Sequence, residues 1–344
     1  MKTVLKWLGL LVGLPTVAIA LFYVWASAGT LSKDRYATVT RYDAPAPAVQ
    51  SSYTIVSYNI GYLSGLANNT LNKPERSFFV KNQQQVIAAL GAVKPDIVAL
   101  QEIDINAKRS YEIDQVATLA ASLEMSASAI AINWDKQYLP FPYWPPSAHF
   151  GKILSGQATI SRYPIERNRR IVLERVPDQP FFYNKFYLDR LAQVSQISLD
   201  GQPVIVISVH LEAFDEPTRI KQTQFVRSLA EDYAQTLPVI VTGDFNSATN
   251  RPSFVATTGE THQETQFSIK EMLASEVLKP AAEPDPSQSI WDKAAATFPS
   301  DAPEYKLDYM FYTPSTIEVI DTQVLADAAQ SSDHLPLMMR FRFK

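Results

Sequence analysis

The chain has 344 residues, 46% of them hydrophobic, and 31 Lys and Arg against 35 Asp and Glu, a net charge of -4. That length allows a large α/β domain with a targeting segment, and the mildly acidic balance excludes a globally basic nucleic-acid binder. The absence of cysteine excludes disulfides, thiol nucleophiles and cysteine-bound zinc.

From Trp7 to Ser32 no side chain is charged, and Leu8 to Trp25 is almost wholly apolar. About 20 helical residues match the hydrocarbon thickness of a bilayer, and Lys2 and Lys6 precede the stretch as the positive-inside tendency favours. Residues 1–30 therefore read as a transmembrane signal anchor. A cleaved secretory signal is the alternative, because Ala26-Ser27-Ala28 is a small-x-small site. Either way the rest of the chain is expected outside the cytoplasm. Residues 31–52 include Asp43-Ala-Pro-Ala-Pro-Ala-Val and read as a stiff Pro/Ala-rich linker, with the globular domain expected over 53–344.

Within that domain Tyr53 to Ile60 alternates as a strand, and Phe79 to Val93 has helical spacing ended by Lys94-Pro95. Asp96 to Glu102 reads as a buried strand, Tyr111 to Glu124 as a second helix, and Gly156 to Ile165 as a strand stopped at Pro164. The basic stretch Arg162, Arg167, Arg169, Arg170 and Arg175 suits a solvated loop or hairpin, or a surface for an anionic substrate. Leu191 to Leu199 and Val204 to His210 flank Asp200-Gly201, a dipeptide favoured in tight hairpins, so this pair is expected antiparallel. A helix over Pro217 to Tyr233 and a buried strand over Pro238 to Asp244 follow. Thr249 to Pro303 is polar and proline-broken, which predicts a long excursion with a short helix at Ser268 to Leu278. Strands at Leu307 to Tyr312, Ile317 to Val324 and Leu335 to Phe343 close the chain. The order fits an α/β protein, a four-layered sandwich of two packed mixed β-sheets flanked by helices, preceded by the N-terminal transmembrane helix.

Six runs carry chemistry: Ser57-Tyr58-Asn59, Gln101-Glu102, Ser208-Val209-His210-Leu211, Gly243-Asp244-Phe245-Asn246, Leu307-Asp308-Tyr309 and Ser332-Asp333-His334. Each sits at or just past the end of an apolar run. Carboxylates, carboxamides and imidazoles delivered from many strand ends are what metal-assisted attack on a phosphate ester needs. Glu102, ending a buried strand, would be costly to desolvate without a cation and reads as the principal Mg2+ ligand. Asn59 offers a carboxamide to that cation or to the phosphate, and Asp333 would sit with Glu102 near the metal. Asp244 could orient or deprotonate water while Asn246 donates to a phosphoryl oxygen. Asp308 could hold the tautomer of His334, and His210 could be a second donor or protonate the departing alkoxide. His149 and His262 receive no catalytic role.

Taken in order, these runs resemble the signatures of the endonuclease/exonuclease/phosphatase superfamily, over about residues 53–344. That superfamily includes deoxyribonuclease I, abasic-site endonucleases, neutral sphingomyelinases and inositol polyphosphate 5-phosphatases. The resemblance implies metal-dependent, in-line attack of water on a phosphoester without a covalent enzyme intermediate. It implies that Asn59 and Glu102 bind Mg2+, with Mn2+ as the alternative, and that His210 and His334 contact or protonate the phosphate. Asp244 and Asn246 would position water and phosphate, supported by Asp308 and Asp333. Arg190 resembles an arginine that some members place before the strand preceding the His-Leu strand, with a surface salt bridge as the other reading.

Neither the acid that deoxyribonucleases place opposite the first catalytic histidine nor the extended signature of inositol phosphatases is found, so the subgroup stays open. The expected function is an exported, divalent-metal-dependent phosphodiesterase acting on nucleic acid or on phospholipid or sphingolipid head groups. It would touch the membrane through its N-terminal helix and need no obligate protein partner. A phosphomonoesterase of the same fold and a catalytically silent scaffold are the alternatives. The aromatic run from Tyr138 to Pro146 could rest at a membrane interface, stack on bases, or pack internally.

Overall fold

The structure, a computed structural model, describes residues 2–45, 47–68, 70–248, 253–255, 261–263, 267–282 and 295–344. Helix α1 (Lys2–Ser27) leads into strand β1 (Ala37–Arg41), β2 (Tyr53–Asn59), α2 (Arg76–Val93), β3 (Ile97–Asp104) and α3 (Gln115–Ser122). Strands β4 (Ala127–Leu139), β5 (Gly151–Ser161) and β6 (Ile165–Val172) follow, then α4 (Phe181–Asn184), β7 (Leu191–Leu199), β8 (Gln202–His210) and α5 (Glu216–Ala234). After β9 (Val239–Asp244) come β10 (Ser253–Val255), β11 (Thr261–Gln263), α6 (Ile269–Leu273), β12 (Lys279–Pro280), β13 (Asp308–Tyr312), β14 (Ile317–Val324) and β15 (Leu337–Phe343).

Two mixed sheets result. The first runs β1-β4-β5-β3-β2-β15-β14 and the second β12-β13-β9-β8-β7-β6, while β10 and β11 pair with each other. Among the described strands only β2 with β3 and β8 with β9 pair in parallel. The hairpin at Asp200-Gly201 forms in register from Leu199↔Gln202 to Leu191↔His210, and both turn residues take positive φ.

Alternation along each strand divides the core in two directions. Tyr53, Ile55, Ile97, Val204, Val206, Ile240, Met310, Met339 and Phe341 meet between the sheets. The other parity packs on helices: Val56, Tyr58, Val98 and Leu100 against α2 and α3, and Ile205, Ile207, Val209, Val239 and Val241 against α5 and α6.

The N-terminal third departs from expectation. Residues 37–41, placed in a linker by their neighbourhood of prolines, are the edge strand β1, paired antiparallel with β4 from Ala37↔Ala131 to Arg41↔Ala127. The turn before it is fixed by the Asp135 carboxylate, which accepts bonds from Thr30 N and Oγ1, Leu31 N and Tyr36 Oη at 2.7–2.9 Å. Helix α1 has 26 residues, yet among the described residues no helix is long and apolar enough to cross a membrane. Part of its length is used on the protein itself. Ala26 is fully buried, Phe22 and Trp25 pack on Tyr138, Tyr23 packs on Phe181 and Phe186, and Gln137 N donates to Ala28 O at 2.8 Å. Strand β4 forms where no element was expected, and the basic stretch, read as a solvated loop or hairpin or as a surface for an anionic substrate, lies largely on strand β6. Parts of the 249–303 excursion, and the side chain of His262, lie outside the described residues.

Candidate active site

One edge of the sandwich collects the polar ends of the strands, and the alternation that builds the core explains why. Continuing the inter-sheet parity outward gives Ile55, Ser57 and Asn59 on β2, Ile97, Ala99 and Gln101 on β3, and Val204, Val206, Ser208 and His210 on β8. Strand β9 gives Ile240, Thr242 and Asp244, and β13, running oppositely, gives Met310 then Asp308. Register aligns these ends, with Asn59↔Gln101, His210↔Asp244 and Asp308↔Asp244. Below them, Gln101 Nε2 bonds Ser208 Oγ at 2.9 Å, tying the two sheets together.

Glu102 breaks the parity, and a bulge corrects it. On β3 the register to β5 jumps between Leu100↔Ala158 and Ile103↔Gly156, and Glu102 sits there at φ 49°, so its carboxylate joins the inter-sheet edge instead of the helix face. Gly243 allows a close crossing: its φ is 137°, and a Cβ would lie 2.0 Å from Val209 O.

The acids are joined by carboxamides. Asn59 Nδ2 donates to Asp244 Oδ2 at 2.9 Å and to Glu102 Oε1 at 3.3 Å, and its Oδ1 accepts Gly61 N. Asn68, which no sequence motif marked, donates through Nδ2 to Glu102 Oε2 at 3.0 Å and to both Asp333 oxygens at 3.2 and 3.3 Å. It reaches that position because residue 61 is glycine: a Cβ there would come within 3.3 Å of Asn68 Nδ2 and 2.8 Å of Asp333 Oδ1. Burial, then the neighbouring Asp333, pushes the Glu102 carboxyl up to about 7. Burial also pushes Asp244 up to about 6, against the pull of His334.

Two cationic groups face these acids. His334 Nδ1 is 2.8 Å from Asp308 Oδ2 and its Nε2 is 3.7 Å from Asp244 Oδ2. Burial opposes its charge, but Asp308 and Asp244 outweigh it and hold the imidazole up at about 10. Arg190, 6% exposed, donates through Nη1 to His210 Nε2 at 2.7 Å, through Nη2 to Tyr187 Oη at 3.3 Å and through Nε to Glu212 Oε2 at 3.4 Å. His210 is thereby an acceptor at Nε2. Burial, then Arg190, drives its pKa well below the ordinary value, so it is neutral. Its Nε2 stands 3.7 Å from both Glu102 Oε1 and Asp244 Oδ2.

All nine residues marked in the sequence thus lie on one edge. Asn246, at φ 50°, gives its backbone N–H to Asp244 Oδ1 and its Nδ2 to Leu211 O, while Ser332 Oγ ties the Asp333-His334 turn to Asn59 O at 2.8 Å. Asn68, Tyr187 and Glu212 were missed. Glu212, two residues past His210, offered a sequence signal as an acid just beyond a strand end. Asp244, Asp308 and His334 present ligand-capable atoms all within 4.8 Å of one another. Because Asp308 is bonded to His334 and holds its proton, that trio suits proton holding, while Glu102 and Asp333 are joined through Asn68 Nδ2.

The family model described as endonuclease/exonuclease/phosphatase matches residues 56–334. A UPF0294 protein of Vibrio cholerae serotype O1 (El Tor Inaba N16961) is 30% identical over 143 residues, 42% of this chain and 41% of that protein, so the match spans less than half the relative's length. Among solved structures, an endonuclease/exonuclease/phosphatase from Beutenbergia cavernae superposes with TM-score 0.58 at 18% identity, covering 86% of this chain and 72% of that one. A mannosyl-6-phosphatase of Bacteroides thetaiotaomicron superposes with TM-score 0.56 at 17% identity, covering 85% of this chain and 100% of that one. At such identities the superpositions speak to fold alone, and that fold is the pair of packed mixed sheets described above. With its family model matched across nearly the whole domain, this chain belongs to the endonuclease/exonuclease/phosphatase family.

Proposed function

We propose that the chain hydrolyses phosphodiesters by in-line attack of water with the help of a divalent cation, Mg2+ or Mn2+. The observation that carries this reading is an excess of acid: Asp244, Asp308 and Glu212, buried, and Glu102 and Asp333, half-buried, outnumber Arg190, His334 and the buried Lys306 as the cations beside them among the described residues. Such an edge fits a divalent ion, which Glu102 and Asp333 would hold with Asn59 beside them. When bound, the ion supplies Lewis acidity toward the phosphoryl oxygens and eases ionisation of water.

The chain's own groups divide the remaining work. Asp244, whose raised pKa strengthens it as a base, is held by the Asn59 and Asn246 donors to take the proton of the attacking water. His334 keeps a proton at Nε2 for a phosphoryl oxygen or the departing alkoxide, with Asp308 fixing its ring. Arg190, braced by Glu212 and Tyr187, places a permanent charge next to His210.

We also infer that the domain acts outside the cytoplasm, because the stretch from Trp7 to Ser32 has no charged side chain and follows Lys2 and Lys6. Fractionation of cells expressing the chain tests this, and recovery in the soluble cytoplasm would refute it.

For the chemistry, the test is hydrolysis of bis(p-nitrophenyl) phosphate with Mg2+ or EDTA, by the wild type and by His334→Ala. Cation-dependent turnover lost in a folded variant supports the reading, and turnover unaffected by EDTA or by the variant refutes it. Because a phosphatase shares the fold, p-nitrophenyl phosphate run alongside reads the monoester alternative.

A further inference from the structure

Beyond Asn68 the active edge opens into a cleft of about 440 Å³, open to solvent and lined by Asn68, Thr70, Asn72, Lys73, His149 and Phe150 among others. Asn68 is shared between this cleft and the acids Glu102 and Asp333. On its far side the cleft meets the foot of α1, since His149 Nδ1 is 2.8 Å from Tyr138 Oη, and Tyr138 packs on Phe22 and Trp25 with ring centroids 5.7 and 6.2 Å apart. The 173–190 connection reaches the same place from the other side of the site. Tyr187, bonded to Glu212 beside Arg190, stacks on Tyr183, and Phe186 and Phe181 pack on Tyr23 of α1. Two loops therefore link the catalytic edge to one rim, where Trp144 is 77% exposed, Phe181 75% and Tyr143 64%.

The surface asks for a particular occupant. Leu11, Val12, Leu14, Val17, Ile19 and Leu21 are exposed on α1, and at about 3.6 residues per turn they spread over more than half of its circumference. A protein partner covers one face of a helix, whereas contact with a bilayer surface can cover more than one, and it does not require α1 to cross the membrane. Tyr and Trp at its foot, rather than along its length, suit the head-group level of a bilayer. The rim segments 138–150 and 181–187 contain no acid, and their one basic residue is Lys185. Lys73 in the cleft has no ion-pair partner among the described residues, and both charges complement anionic lipid. Nucleic acid would need an open basic track, but Arg169, Arg170 and Arg175 are bonded to Tyr233, Asp189 and the Ile132 carbonyl.

We propose that this cleft and rim bind an amphiphilic phosphodiester presented by a bilayer, with a phospholipid head group in the cleft and the lipid surface against Trp144 and Phe181. The proposal rests on the hydrolase reading above and names its substrate class.

The full chain is assayed with Mg2+ on vesicles of phosphatidylcholine and phosphatidylglycerol in equal amounts, and separately on bis(p-nitrophenyl) phosphate. In a variant carrying Trp144→Ser and Phe181→Ser, both exposed changes, the ratio of vesicle to soluble turnover should fall about tenfold or more, equivalent to about 1.4 kcal/mol. Lys73→Gln should raise KM for vesicle phospholipid several-fold while leaving kcat within twofold. An unchanged ratio in the double variant overturns the proposal, as does nicking of supercoiled plasmid by a protein that leaves vesicle phospholipid intact. If the wild type cleaves no diester with any cation, it is the hydrolase reading that falls. Quenching of Trp144 emission by vesicles of brominated phosphatidylcholine, taken as the difference between wild type and Trp144→Phe, then decides the surface: quenching supports it and its absence overturns it.

Discussion

Replacing Asp308 with asparagine should bring the alkaline limit of catalysis down by about two to three pH units, and the magnitude follows from the surroundings of His334. Burial alone would strip that imidazole of its proton, yet it stays protonated up to about pH 10, with Asp308 the foremost of the groups that hold it, ahead of Asp244. A rise from the ordinary 6.5 to about 10 corresponds to roughly 5 kcal/mol, at about 1.4 kcal/mol per pKa unit. Asparagine keeps a hydrogen-bond acceptor 2.8 Å from Nδ1 but loses the charge. If the carboxylate supplies somewhat more than half of the effect, the variant's imidazole titrates at about 7 to 8.

Because the proposed mechanism uses the proton on His334 Nε2 for the phosphoryl or leaving oxygen, kcat/KM of the variant should fall about tenfold per unit above that pH, while the wild type stays level until about 10. The assay is the pH profile of bis(p-nitrophenyl) phosphate hydrolysis at saturating Mg2+, with the His334 ring titrated by NMR. The sign for stability agrees: a raised histidine pKa contributes stability that is full below about 6.5 and is lost as pH rises through about 10, so the variant is destabilised most at neutral and acid pH. A folded Asp308→Asn protein whose alkaline limb coincides with the wild type's would refute the assignment of His334 as proton holder.

Glu102 and Asp244 titrate in the fold at about 7 and about 6, above their ordinary values, so without metal the protein should lose stability as pH rises from about 4 to about 7. Mg2+ should offset that loss, and scanning fluorimetry should find a larger Mg2+-induced rise in Tm at pH 8 than at pH 5, the reverse order counting against a cation at Glu102. Gly243→Ala puts a methyl 2.0 Å from the Val209 carbonyl, at a φ of 137°, and should cost several kcal/mol or prevent folding, as chemical denaturation would measure. Arg190→Lys should lower kcat about tenfold or more with little loss of stability, because one ammonium cannot span His210, Tyr187 and Glu212 together. Wild-type kcat in that variant would remove Arg190 from the site.

The catalytic edge was legible in the sequence because it extends a period-two pattern: where the inter-sheet parity on β2, β8 and β9 turns from Ile and Val to Ser, Thr, Asn, His and Asp, the strand has reached the edge. Glu102 was legible for a different reason, its position after an apolar run, since the bulge that aims it leaves no local mark. Strand β4 escaped notice because Ala127-Ser-Ala-Ile-Ala-Ile alternates small residues with each other and gives little contrast. Strand β1 was hidden by the prolines that follow it, and β6 by arginines, whose partners Asp189 and Tyr233 lie far along the chain. The same reason governs what was missed in the site. Asn68 matters because Gly61 leaves it room between Glu102 and Asp333, Tyr187 and Glu212 because they brace Arg190, and each of these is a relation between segments.

The contacts that join the site to α1 are of the same kind: Tyr138 to Trp25, His149 to Tyr138 and Phe186 to Tyr23 bring together parts of the chain separated by more than a hundred residues, or by a loop with no periodicity. Local sequence therefore reports the polar strand ends far better than the cleft and rim that long-range packing assembles around them.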